Sequence, residues 1–244
     1  MALLADGEIT SHGLVPWSSN YTFLVTVRGA GGEALAIYKP CRGERPLWDF
    51  PSGTLCQREV ATYLLSRHLG WPDIPPVVLR EGPYGLGSVQ LFVEVEQEEH
   101  YFTLRDRPEY AQAFRRIALF DDLVNNADRK GGHVLKGIRG RDPDWFYRGQ
   151  VWAIDHGLTF HSEHKLRTVI WEYAGRPIPA DCLAELQGLR DALEPEEAPL
   201  PEALSHLISA AEIEALKRRL VTRIRMGTFL QPRRNWRNLP YPLI

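Results

Sequence analysis

The sequence predicts an α+β chain of two lobes, a small β-rich lobe over residues 1–96 and a larger helical lobe over 97–244, joined near 94–100. Three observations carry this. The first third sets β-branched and aromatic residues around glycine turns. Beyond the join, apolar residues recur mostly at helical spacing. Finally, the 244 residues can bury roughly 70–75% of the unfolded surface, enough for a core without disulfides.

Taken in order, 21–28 (YTFLVTVR) reads as a strand, 29–32 as a glycine-rich turn and 34–38 (ALAIY) as the returning strand of a hairpin. Pro40, Pro46 and Pro51 break 40–54 into a loop. From Leu55 the period changes. Val60, Leu64, Leu65 and Leu69 lie at helical spacing, and Gly70 stands where a left-handed C-cap belongs. Residues 77–79 and 89–95 read as two strands around a turn at 81–87. Tyr110, Phe114, Ile117, Ala118 and Phe120 predict a helix over 108–122, and a polar turn follows at 125–133. Residues 151–154 make a short apolar strand that runs into Asp155, His156 and Gly157. Two helices, 182–193 and 204–225, close the chain around a loop rich in Pro and Glu.

Net charge is −2, too weak for a whole-surface field toward nucleic acid or an anionic membrane. No apolar run reaches the ~18–20 residues of a membrane span, and residues 1–10 lack the basic start of a secretory signal. Cys41, Cys56 and Cys182 form no paired framework and no CxxC, which reads as reduced thiols in a cytoplasm. Charge is uneven near the end: 181–214 holds nine acids and one base, 217–237 eight bases and no acid. Such a pattern suits either helices with complementary faces or a patch for an anionic partner.

Four segments join strong polar groups to a turn or strand end. Ser18, Ser19 and Asn20 precede the hairpin, where small hydroxyl and amide residues can fold backbone N–H groups over an anion or simply make a turn. Lys39 ends a strand and is fixed by Pro40, so it can aim one charge into a cleft. Glu59, near the start of the helix from Leu55, is its candidate partner. A strand lysine held by a helix glutamate is the pair that kinases turn on nucleotide phosphates; otherwise Glu59 only favours the helix N-terminus. Residues 121–133 (DDLVNNADRKGGH) carry a helix into a loop with Asp128, Arg129 and two glycines, suited to proton acceptance and hard-metal binding. His133 follows Asp128 at the interval at which kinase loops set a base and a metal ligand. Asp155 ends an apolar strand two residues before Gly157. Any one Asp-x-Gly is usually a turn; the four features in this order are much harder to obtain by chance.

With these residues the chain resembles the phosphatidylinositol 3-/4-kinase superfamily, most nearly the type II phosphatidylinositol 4-kinases and more distantly the HipA-type protein kinases. Residues 86–94 (LGSVQLFVE) look like the strand and hinge, 114–128 (FRRIALFDDLVNNAD) like the helix and catalytic loop, and 154–160 (IDHGLTF) like the metal-binding turn. The resemblance spans about 18–160 and implies a bilobal protein-kinase-like fold that uses ATP with Mg²⁺ or Mn²⁺. It implies that Lys39 contacts the α/β-phosphates and Glu59 holds Lys39, while Ser18, Ser19 and Asn20 cover the phosphates. Leu91, Phe92, Val93 and Glu94 would line the adenine pocket, which extends to Val95. Asp128 would orient or deprotonate the attacking hydroxyl, Asn126 would brace the loop and Asp121 would tie the helix end to it. Asp155 would bind the divalent ion, with His133 where the family has a metal-binding asparagine; imidazole suits Mn²⁺ or a softer ion better than Mg²⁺. The family's cysteine-rich anchoring segment has no counterpart here.

The expectation is therefore a cytoplasmic kinase that passes the γ-phosphate of ATP to a hydroxyl acceptor. A protein Ser/Thr or a small alcohol is favoured over an inositol lipid, with no nucleic-acid partner and no stable membrane anchor. The acceptor should dock on 161–179, which mixes Lys165, Arg167 and Arg176 with Glu163, Glu172, Trp171 and Tyr173. The alternatives are a nucleotide-binding pseudokinase or scaffold, and an AMP transferase on the same fold.

Overall fold

A computed structural model describes residues 1–15, 20–138 and 151–244. Its N-terminal part is an antiparallel sheet formed around the expected hairpin. A short helix α1 (Ala2–Asp6) and strand β1 (Glu8–Leu14) come first, followed by β2 (Phe23–Gly29) and β3 (Gly32–Pro40). In β2 and β3 the residues alternate, so that Phe23, Val25, Val27, Ala36 and Tyr38 are buried on one face with Leu4 of α1. Ile37 and Lys39 are left on the opposite face. The turn pairs Gly29 with Gly32, whose φ of 114° only glycine adopts without strain.

Helix α2 (Leu55–Leu69) ends as its sequence demands, with Gly70 at φ 77° and its N–H donating to the Ser66 carbonyl. Strands β4 (Val77–Gly82) and β5 (Gly85–Leu91) complete the sheet in the order β1-β2-β3-β5-β4. Their hairpin is tighter than the expected turn at 81–87, because Glu81 and Leu86 still pair.

A second sheet was not legible in the sequence. Strand β6 (Val95–His100) pairs with β7 (Val134–Gly137), which pairs with β8 (Val151–Ala153). The 96/97 division falls inside β6. Helices α3 (Tyr101–Leu104), α4 (Ala111–Val124) and α5 (Ala180–Leu193) follow the expected helical part. The expected helix 204–225 is two, α6 (Pro199–Ser205) and α7 (Ala210–Met226). Ser209 starts α7 with a reciprocal cap, its N–H and hydroxyl donating to Glu212 Oε2 at 2.9 and 2.8 Å. That Ser-x-x-Glu signal was present in the sequence and marks the break.

The largest core joins α2 and Val77 of β4 to the helical part, while the buried face of β2 and β3 keeps a core of its own. Val60, Ala61 and Leu65 of α2 pack in the same cluster as Phe114, Ile117 and Phe120 of α4, Leu186 of α5 and Leu216 of α7. Helix α2 therefore belongs to the packing of both parts, and a residue on it holds position relative to both.

The cysteine reading is corrected. Cys41, in the turn after β3, is bonded to Cys56 in the first turn of α2, with Cα atoms 6.0 Å apart; Cys182 is free and buried. The bond joins two elements across the 40–54 loop, a proximity that spacing alone does not reveal. Closing a loop of that length contributes about 3 kcal/mol by chain entropy. The cytoplasmic expectation rested on unpaired thiols and loses that support. Among the described residues no helix is long and apolar enough to cross a membrane.

Candidate active site

Lys39 leaves the sheet on the face that looks toward α2, because its neighbours Tyr38 and Pro40 are buried on the other. Its Nζ lies 2.6 Å from Glu59 Oε1 and 3.0 Å from Asp155 Oδ1. Glu59 is itself buried on α2, and its second oxygen accepts the backbone N–H of His156 at 3.0 Å. One glutamate thus fixes both the strand lysine and the turn that follows β8. Burial on its own would lower the Lys39 ammonium; Asp155 and Glu59 overcome it and hold the group above its ordinary value.

Asp155 follows β8 through Ile154, whose N–H donates to the His133 carbonyl at 2.9 Å. Its backbone is left-handed, φ 58°, a conformation that Asp tolerates better than most residues. Its side chain remains 47% exposed in the cleft. Lys39 above all, then His133, hold this carboxyl well below the usual carboxylate range against the opposing effect of burial. Its Oδ2 lies 3.3 Å from His133 Nε2. Burial, with Arg129 and Lys130 nearby, pushes the His133 imidazole down to about 4 despite Asp155, so the ring is neutral.

The loop after α4 is built by side chains holding backbone. Asn125 caps the helix at φ 55°. Asn126 is fully buried: its Nδ2 donates to Asp121 Oδ1 at 3.0 Å and its Oδ1 accepts the Asp128 N–H at 2.9 Å. These bonds hold the loop against the end of α4 through Asp121. Asp128 lines the cleft, with Oδ2 3.1 Å from Lys130 Nζ; burial pushes its carboxyl up to about 6. Gly131 has no room for a side chain, since a Cβ there would lie 2.6 Å from the Phe102 ring.

Arg129 stands in the loop that the sequence marks but has no role there by sequence alone, yet it organises the site. It is fully buried and pairs with Asp121 at 2.9 Å. Its guanidinium also donates to the carbonyls of Ile154 at 2.8 Å and His133 at 3.2 Å, and lies 2.6 Å from His156 Nε2. It thereby joins the loop after α4 to both residues that flank Asp155 and to the His133 backbone. The only sequence signal was a cation directly after Asp128 in a polar turn. Lys130, the partner of Asp128, was missed for the same reason.

These residues surround one cavity of about 610 Å³, within the ~300–1,000 Å³ typical of small-molecule sites. Lys39, Glu59, Asp128, His133 and Asp155 all face it. Asn20 lines it too, and its Oδ1 accepts the Arg45 N–H at 2.9 Å, which fastens the loop below the hairpin. Ser18 and Ser19 lie outside the described residues. Leu91, Phe92, Val93 and Glu94 are not brought to the lining, which reaches Gln90 and Ile37. The N–H groups of Leu91 and Phe92 are already bonded to the Pro76 and Leu35 carbonyls.

Asp155 offers an exposed oxygen donor and fits a hard cation. His133 accepts the Lys130 N–H on Nδ1 at 3.4 Å, which leaves its proton on Nε2 facing Asp155; it fits an ion only in the other tautomer. Cys41, Glu44 and Cys56 also cluster, but both sulfurs are spent in the disulfide.

No protein-family model matches the chain. Among solved structures, the crystal structure of a Helicobacter pylori proinflammatory kinase, CtkA, is similar with a TM-score of 0.51 at 12% identity, covering 92% of this chain and 95% of that one. At that identity the likeness shows the fold alone, and it is kinase-like. The Mycobacterium tuberculosis protein Rv2133c is 43% identical over 251 residues, covering 89% of this chain and 86% of the relative. The chain belongs to the family of the Mycobacterium tuberculosis protein Rv2133c.

Proposed function

We propose that this protein is an ATP-dependent phosphotransferase of the phosphatidylinositol 3-/4-kinase type, which passes the γ-phosphate to a hydroxyl acceptor. One observation carries the reading: Lys39 Nζ sits between Glu59 and Asp155 in a cleft that also holds Asp128. The kinase-like fold supports it. In-line phosphoryl transfer needs positioning and charge neutralisation more than covalent help.

Lys39 would take the charge of the α/β-phosphates, released from Asp155 as the ligand supplies a replacement. Asp155, with His133 in its metal-binding tautomer, would hold the divalent ion, which when bound neutralises charge on the phosphates. Asp128 would orient the acceptor hydroxyl and accept its proton as the new O–P bond forms and ADP departs. A carboxyl pushed up to about 6 is a competent proton acceptor near neutrality. A protein Ser/Thr or small alcohol suits the acceptor better than an inositol headgroup. Lys165, in the 161–179 segment, is buried and pairs with Asp49 at 3.2 Å, so it offers no free charge to a headgroup.

Incubation with γ-labelled ATP and Mn²⁺ or Mg²⁺, alongside nucleotide binding, tests the proposal. Asp128→Ala should abolish transfer and keep nucleotide binding; full transfer by that variant refutes the role. Lys130 beside Asp128, and His133 in place of asparagine, favour a second reading, a nucleotide-binding pseudokinase, for which binding occurs without any transfer. Label transferred from the α-phosphate instead would identify AMP transfer on the same fold.

A further inference from the structure

The basic stretch 217–237 is left unused by the phosphotransfer site. Complementary helix faces do not explain it. Among the described ion pairs, Asp181 and Glu185 of α5 face Arg116 of α4, Glu212 takes Arg58, and only Lys217 with Glu214 joins the acidic and basic stretches.

Helix α7 and the segment after it instead bring Arg218, Arg219, Arg223 and Arg233 to one cavity of about 230 Å³, together with Asp122 of α4, Ser162 and His164. Four guanidiniums share one carboxylate, and that carboxylate already pairs with Arg223 Nε at 3.1 Å. Arg219 donates from Nε to the Leu123 carbonyl at 2.7 Å and from Nη1 to the His161 carbonyl at 3.3 Å. Its Nη2 is buried with no hydrogen-bond partner among the described residues, and so is His164 Nε2. Buried polar atoms left unmet are costly, so such a pair marks a place for a ligand. His164 shows the sign of the local field: burial, with Arg233 and Arg219 beside it, pushes its imidazole down to about 4.

We infer that this cavity binds a phosphate monoester, whose oxygens bridge Arg218, Arg219 and Arg233. Three guanidiniums in excess of the one acid suit a dianion with several oxygens better than a single carboxylate. The volume lies below the ~300 Å³ at which drug-sized pockets begin, which favours a phosphorylated headgroup over a whole nucleotide. The ligand acts as an effector. Arg219, once bridged, ties α7 to the Leu123 and His161 carbonyls, just before Asn125 and just after the metal-binding turn.

A soluble phosphate ester and a phosphatidic acid headgroup present the same group, and two measurements separate them. One is the melting temperature of the full chain with glycerol 3-phosphate against chloride at matched ionic strength. The other is sedimentation with phosphatidylcholine vesicles carrying phosphatidic acid. A saturable rise in melting temperature assigns the free ester; vesicle binding without that rise assigns the headgroup. In R218A/R233A, which changes two exposed side chains, either effect should fall at least fivefold. Lys39→Met should retain it, which separates this cavity from phosphate bound in the nucleotide cleft. The proposal is overturned if the wild type shows neither effect, if the effect survives R218A/R233A, or if Lys39→Met removes it.

Discussion

Asp155 with Lys39 and Asp121 with Arg129 are both carboxylate–cation pairs with nearly equal separations, 3.0 and 2.9 Å. Their surroundings differ completely. The first pair is open to the cleft, with side chains 47% and 24% exposed; the second is wholly buried. An open pair can exchange one partner for a ligand at little cost, since exposed ion pairs contribute only about 0–1 kcal/mol. A buried pair cannot, because the abandoned charge has no water to take it. The buried pair is therefore the frame, and in the proposed phosphotransfer the open pair is the working part. Arg129 connects them, through the Ile154 carbonyl and His156 on either side of Asp155.

Breaking the frame gives the largest effect. Arg129→Ala leaves Asp121 in the interior without its countercharge, held among the described residues only by the Asn126 amide, and chemical denaturation should register a loss of about 3–5 kcal/mol or no folded protein at all. A loss below about 1 kcal/mol would mean that the two pairs are equivalent. Asp155→Asn, which removes the charge and keeps a residue that tolerates the left-handed backbone, should do the reverse. Its stability should change by less than about 1 kcal/mol, while metal-dependent transfer falls by about a hundredfold or more.

The neighbouring acid sharpens the contrast through pH. Burial pushes Asp122 up to about 6 in spite of Arg223, Arg219 and Arg233. The folded state therefore binds this proton more tightly than the unfolded chain. Stability is highest below the unfolded value near 4 and falls as pH rises toward 6, by about 2–3 kcal/mol from this group. Denaturation midpoints of Asp122→Asn should lack that decline; an unchanged pH profile contradicts the burial argument. The smallest effect is expected at His133→Asn, which restores the ligand type of the resembled family. The ratio of Mg²⁺- to Mn²⁺-supported transfer should rise several-fold, with little change in nucleotide binding.

Much of the candidate site was legible because its chemistry depends on residue type and order. A lysine ending a strand, a glutamate early in a helix and an aspartate ending a strand before glycine are each weak, but they reinforce one another in sequence. Asn126 and Asp121 were legible as supports for the same reason. The parts that escaped depend on distant proximity: Arg129 reaching Ile154 and His156, Lys130 turning onto Asp128, and Cys41 meeting Cys56. The expectation for Leu91–Glu94 went further than the lining does, because a strand-end pattern does not show which N–H groups the sheet has already used.

The amino-acid order by itself determined the alternation of β2 and β3, the helical period of α2 with its Gly70 stop, and the run of charge-bearing turns. These are local matters, settled within a few residues by backbone geometry and by which side chains avoid water. Only the tertiary structure decided which acid is buried and which stays open, and which arginines gather on one cavity. Burial belongs to whatever packs on top, and for Lys39 and Asp155 that partner arrives from 116 residues away along the chain.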